Sequence, residues 1–131
     1  DTNGALLDPG ASATITVAGQ GAGDRITLAA MLIPTNDGFV ALVDAAAPRP
    51  GRSLVFRAPA YDAGSEQNDE LCESIPGPFF EECGGPGGGG SPGNGEGYVH
   101  IHAGLHGIGD MTESERDWRN PVAEIVITAK N

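Results

Sequence analysis

Arg25-Ile26-Thr27-Leu28-Ala29-Ala30-Met31-Leu32-Ile33-Pro34-Thr35-Asn36-Asp37-Gly38-Phe39-Val40-Ala41-Leu42-Val43 is the stretch that decides the fold class. It begins in apolar/polar alternation and runs into a continuous apolar stretch, the pattern of a central strand covered on both faces. Pro34 ends that run, Thr35 to Gly38 is a polar turn, and Phe39 to Val43 resumes as strand. The segment predicts a β-hairpin with Asn36 and Asp37 at its tip.

Outward from the hairpin the same signals recur. Upstream, Pro9-Gly10 and Gly19 to Asp24 are turns that bracket Ala13 to Val17, where Ile15 and Val17 alternate with Thr14 and Thr16 as in a half-buried strand. Downstream, Ala45 to Arg52 is a proline-bearing connection, and Ser53 to Ala58, Gly97 to His102 and Val122 to Ala129 read as further strands. Met111 to Arg116 allows one or two helical turns, with Thr112 as N-cap and Glu115 at the capping-box position. Residues 84–95 are glycine-rich and are expected to form a flexible loop without order from their own contacts. About six strands with little helix predict an all-β chain, an antiparallel β-sandwich, as one domain over residues 1–131. With seven aromatic residues the core must come mostly from Ile, Leu, Val and Ala.

Composition excludes several function classes. A formal charge of -11 over 131 residues repels phosphate backbones, which sets nucleic acid aside, and repels anionic membrane surfaces. No apolar run is long enough to span a membrane, and the polar start at Asp1-Thr2-Asn3-Gly4 is not a signal peptide. Cys72 and Cys83 match neither a Cys-x-x-Cys nor a zinc spacing, so they are expected to form a disulfide that contributes about 2 to 3 kcal/mol. An extracellular or periplasmic location follows.

The segment Tyr61-Asp62-Ala63-Gly64-Ser65-Glu66-Gln67-Asn68-Asp69-Glu70-Leu71-Cys72 carries four carboxylates and no Lys or Arg. Their mutual repulsion opposes convergence unless a divalent cation reverses its sign, or unless the loop is simply solvated. With the hairpin-tip Asp37 it offers the oxygen ligands that calcium prefers.

Three blocks together are similar to the spondin domain in its bacterial secreted form: Met31-Leu32-Ile33-Pro34-Thr35-Asn36-Asp37-Gly38-Phe39-Val40, Tyr61-Asp62-Ala63-Gly64-Ser65-Glu66 and Asp117-Trp118-Arg119-Asn120-Pro121-Val122-Ala123. Animal members carry Ile-Pro-Ser-Pro-Asp-Trp-Phe-Val-Gly and Trp-Asp-Ala-Gly-Thr-Asp-Ser-Gly in the same order as the first two. The resemblance runs from about residue 12 to 129. It implies the C2-like antiparallel β-sandwich of the F-spondin family, with one calcium ion near the sheet end. Asp37 and Asp62 match aspartates of the family blocks, whereas Glu66 stands where the family has a second Asp. Glu66 is taken as the third ligand with Asp37 and Asp62, and Asn36, Asn68 and Asp69 are further candidates. The family also has a strand-bearing segment ahead of Pro9-Gly10, which implies an open edge here that another chain could fill by strand addition.

All three histidines lie within His100-Ile101-His102-Ala103-Gly104-Leu105-His106. On a strand His100 and His102 share a face, with Cβ atoms about 6.5 to 7 Å apart. They could take copper or zinc, with His106 as a third ligand and Met111 as a soft fourth, or could simply bond to carboxylates such as Asp110 or Asp117. No serine sits in a Gly-x-Ser-x-Gly elbow and nothing selects a carboxylate pair, so an enzyme is the weaker class. The expectation is therefore a secreted, calcium-binding adhesion or scaffold module that contacts a protein, matrix or surface partner. Two alternatives stand beside it: a copper-binding protein using His100 and His102, and a subunit of a surface polymer completed by a neighbour's strand.

Overall fold

A computed structural model describes residues 6–21, 23–77, 79–91 and 93–130. Expectations for Asp1 to Ala5, including the polar start, lie outside the described residues, as does Pro92 in the glycine-rich loop. The elements in chain order are β1 (Arg25–Met31), β2 (Gly38–Ala46), β3 (Ser53–Ala58), β4 (Ala60–Asp62), β5 (Phe79–Phe80), β6 (Gly85–Pro86), β7 (His100–Ile101), α1 (Glu113–Arg116) and β8 (Ala123–Thr128). Every strand pairing is antiparallel. A four-stranded sheet has the order β1-β2-β4-β7; β3 pairs with β8, and β5 with β6. The all-β expectation holds.

The hairpin forms where the sequence predicts it. Thr35 Oγ1 donates to Leu32 O (2.6 Å) and accepts from Gly38 N–H (2.9 Å), which closes the turn and buries Thr35 and Asn36. β1 is not the central strand expected from its apolar run: among the described residues it stands at the sheet edge, and Met31 is 51% exposed. The run is continuous because it joins three different places. Ile26 and Leu28 face inward, Met31 faces outward, and Leu32 and Ile33 have already left the strand.

Three further expectations are corrected. Ala13 to Val17 is exposed and forms no strand, having the alternation but no paired neighbour. The strand expected over Gly97 to His102 is limited to His100–Ile101, because its partner β4 is only three residues long, although His102 N–H still reaches Ala60 O (3.0 Å). Thr112 occupies the N-cap position of α1 but makes no side-chain cap bond.

Val40, Ala45, Ala58 and Ala60 are buried on the strands, and a further buried cluster lies mostly in the loops. Ile75, Phe80, Leu105 and Met111 form one cluster, with Ile33, Trp118 and the Cys72–Cys83 disulfide packed against it. Met111 is thus a core side chain, only 2% exposed. The glycine-rich loop takes its partners from the acidic segment: Gly88 N–H donates to Cys72 O (2.8 Å) and Gly89 N–H to Glu73 O (3.2 Å). A side chain at Gly88 would run into the Glu73 carbonyl oxygen. No helix among the described residues is long and apolar enough to cross a membrane.

Candidate metal centre

Register places the site. Gly38 lies opposite Asp62, and Asp62 opposite His100, so one inward-facing row crosses β2, β4 and β7. The next row, Met31, Phe39, Tyr61 and Ile101, points the other way. Asp62 is wholly buried. One of its oxygens accepts from Gly64 N–H (2.7 Å) and the other from Asn68 Nδ2 (2.5 Å). Gly64 adopts φ +66°, and a Cβ there would collide with the Tyr98 carbonyl oxygen, so only glycine lets the acidic segment turn this close to the approach to β7.

Two histidines converge on the same carboxylate. His100 Nδ1 lies 3.9 Å from Asp62 Oδ1, and His102 Nε2 lies 4.0 Å from Asp62 Oδ2. Both separations are too long for a hydrogen bond. His102 has other support. Its Nδ1 accepts from Gly104 N–H (3.0 Å) and its ring packs 4.9 Å from that of Trp118. Burial pushes its pKa below the usual imidazole value, against the upward pull of Asp62 and Asp37, so it is held neutral. The Nδ1 of His100, in contrast, is buried with no partner.

Asp37 supplies a second orphan atom. Its Oδ2 accepts from Ser65 N–H (2.6 Å), Ser65 Oγ (2.7 Å) and Glu66 N–H (3.0 Å), while Oδ1 is buried without a partner. Burial raises the Asp37 pKa, but the donors from Ser65 and Glu66, with Asp62 adjacent, outweigh it and hold the carboxyl below the usual range. Among the described residues no lysine or arginine pairs with Asp62. Asp62, Glu96 and His100 each present a ligand atom, all within 4.8 Å of one another, a group that could hold a metal ion. Asp62 is buried, His100 half-buried and Glu96 exposed.

No family model, curated protein or solved structure matches the chain. The reading of the site thus rests on its own chemistry.

The remaining acidic candidates are occupied by protein donors. Glu66 Oε2 accepts from Ser91 N–H (3.0 Å). Asp69 accepts from Asn36 Nδ2, Leu71 N–H, Ser74 Oγ and Ser91 Oγ, and these donors outweigh burial to lower its pKa. Asn36 and Asn68 each donate their amide to a carboxylate. Asp62 lies beside His100 and Asp37 beside Asp62; Glu66, Asp69 and Asn36 tie the glycine-rich loop and the hairpin tip to the acidic segment. The His106 side chain is exposed, and its backbone N–H donates to Glu70 (2.7 Å).

Glu96 is the residue that sequence reasoning missed. It is the one acidic residue between Gly84 and Gly97 and stands four residues before His100. A lone carboxylate kept in a glycine tract beside a His-x-His run was the available signal.

Proposed function

We propose that this chain is an extracellular binding module in which a divalent metal ion, held by Asp62, Glu96 and His100 and approached by Asp37, joins the acidic segment to β7. The observation that carries this reading is the convergence of Asp62, Glu96 and His100, whose ligand atoms lie within 4.8 Å of one another, with the Nδ1 of His100 buried and unpartnered. A buried polar atom without a partner costs about 1–3 kcal/mol, and a cation would satisfy His100 Nδ1 and offset the repulsion between Asp62 and Glu96. An imidazole among the donors favours a zinc-class ion over calcium, which prefers six to eight oxygens. Glu66 and Asp69, the oxygens expected to complete a calcium set, are engaged with Ser91, Ser74, Leu71 and Asn36.

A binding role, as the spondin resemblance implies, is supported by the opposite face of the same sheet. Met31, Phe39, Tyr61 and Ile101 form a continuous ladder across all four strands, flanked by Val43 and Val99. Met31 and Ile101 are each 51% exposed, and the Phe39 and Tyr61 rings stack at 5.6 Å. An exposed apolar face of this extent is a feature of interaction surfaces. The disulfide is compatible with an oxidising compartment.

Titration of metal-stripped protein with zinc, calcium and copper, followed by calorimetry and elemental analysis, tests the reading. One equivalent of zinc is expected, with affinity reduced about 10- to 100-fold or more in Glu96→Gln and His100→Ala. Calcium binding that survives His100→Ala would return the site to an all-oxygen set. Copper lost in both His100→Ala and His102→Ala would favour the copper-binding alternative, and no binding of any of the three would overturn the site.

A further inference from the structure

Ala13 to Val17 has the alternation of a strand yet lies exposed beside a groove of about 2180 Å³ that separates β1 from β8. Ile26 and Leu28 line one wall and Ile125 and Ile127 the other, and residues 6–21 border the same space. β1 pairs with β2 on one side and has no strand on its other side among the described residues. We propose that residues 13–18 are a strap that closes antiparallel onto the free edge of β1, making it an internal strand and covering the groove, and that the present conformation is the open state.

The tether and the side-chain pattern support this. Gln20, Gly21 and Asp24 already hold a bend: Asp24 Oδ2 accepts from Gln20 N–H (2.6 Å) and Gly21 N–H (3.1 Å), and Asp24 O accepts from the N–H of Ala47 (3.0 Å), the residue after β2. Folding back across residues 19–24 brings Ala18 opposite Arg25. That register sets Val17 opposite Ile26, Ile15 opposite Leu28 and Ala13 opposite Ala30, which turns all three apolar side chains toward the groove. Thr16 and Thr14 then lie over Thr27 and Ala29 on the outer face. A one-residue slip would reverse both sets. Ile15 and Val17, now 43% and 58% exposed, would be covered together with Ile26 and Leu28. A six-residue tether keeps the strap at high effective concentration, which favours its own edge over a neighbour's. Closure would hide an edge that otherwise invites strand addition by another chain. None of these residues belongs to the metal centre, so the strap and the metal reading fail independently.

The test pairs cysteines across the expected register. In Ile15→Cys/Leu28→Cys the Cβ atoms would lie about 4.5–5.5 Å apart. On mild oxidation this variant should give an internal cross-link at monomer mass, at least about tenfold faster than Ile15→Cys/Ala29→Cys, whose second cysteine is on the other face. In the unsubstituted protein, hydrogen exchange should slow at least about tenfold at alternate amides of residues 13–18, and Thr16→Pro should abolish that slowing. Equal cross-linking rates, or amides 13–18 exchanging as a free chain does, would overturn the proposal. Cross-links at dimer mass would assign the edge to a second copy and overturn it as well.

Discussion

The loop end of this molecule and its sheet faces solve the same problem in opposite ways. Around residues 62–75 and 102–111, order comes from carboxylates used as hubs: Asp69 accepts four hydrogen bonds, and Glu70, only 2% exposed, accepts from His106 N–H (2.7 Å) and Ile108 N–H (2.9 Å). The fully buried Ile75 and Met111 lie in this same region. The pair β3–β8, by contrast, has regular register over six residues but leaves Val55 and Val126 more than half exposed. On β3–β8 regular hydrogen bonding leaves large side chains exposed. The strands bury mainly smaller residues such as Val40, Ala45, Ala58 and Ala60, and the loops contribute the larger Ile75, Leu105 and Met111.

Four measurements would break or sharpen that contrast. Ile75→Ala should have the largest effect, about 3 to 4 kcal/mol in urea unfolding, because its side chain is fully buried. A loss below about 1 kcal/mol would mean that the loop cluster is not part of the core. Glu70→Ala should cost about 3 kcal/mol by leaving two backbone amides of the 104–110 corner without their charged acceptor. If only a surface loop were being held, the change would be a few tenths. Gly64→Ala should cost about 2 kcal/mol through its left-handed φ and the Tyr98 carbonyl, and should weaken metal binding in the same titration. Wild-type metal affinity in that variant would separate the turn from the site. Val126→Ala, at a strand position 54% exposed, should change stability by less than about 0.5 kcal/mol.

A pH-dependent effect separates the two regions further. Glu82 accepts a bidentate pair of hydrogen bonds from Arg116 (2.6 and 2.8 Å), which lower its pKa from 4.5 to about 2. Between those values the unfolded chain binds the proton and the folded one does not. The contribution is therefore fully present above about pH 4.5 and is lost as pH falls through about 2. Both side chains keep some contact with solvent, so Arg116→Ala should cost no more than about 1 kcal/mol at neutral pH. The mutant should also show a shallower decline of stability between pH 4.5 and 2. An unchanged acid profile would assign that decline to other carboxylates.

The extent to which the sequence revealed this depended on where the signal resides. β2, β3 and β8 were legible because alternation is local and their ends carry turn residues or proline. The disulfide was legible from two cysteines in a loop bent by Pro76-Gly77-Pro78. The edge position of β1 was not, since a strand's neighbours are set by topology and not by its own pattern. The alternation of Ala13 to Val17 states a capacity for pairing, and the structure pairs it with nothing. In the site, Asp37, Asp62 and His100 stood out by type. Glu96 did not, because the chain leading into β7, where Gly97 N–H donates to Gly64 O (2.8 Å), and not sequence proximity brings it to Asp62. The acceptor roles of Asp69 and Glu66 were not legible, because a carboxylate that accepts from serine or a backbone amide has the same sequence signature as one that binds an ion.

The shortness of β7 has a consequence for the exterior of the protein. His100 and Ile101 are adjacent, one facing Asp62 and the other aligned with Tyr61 on the open face. A strand of two residues has few ladder bonds to hold it in place, so a shift by one position would exchange a donor for an apolar side chain on both faces at once. An ion bound through His100 would act as a set-screw on that alignment. Whatever the outer face grips would then respond to the metal's presence on the far side of the sheet, with no contact between the two.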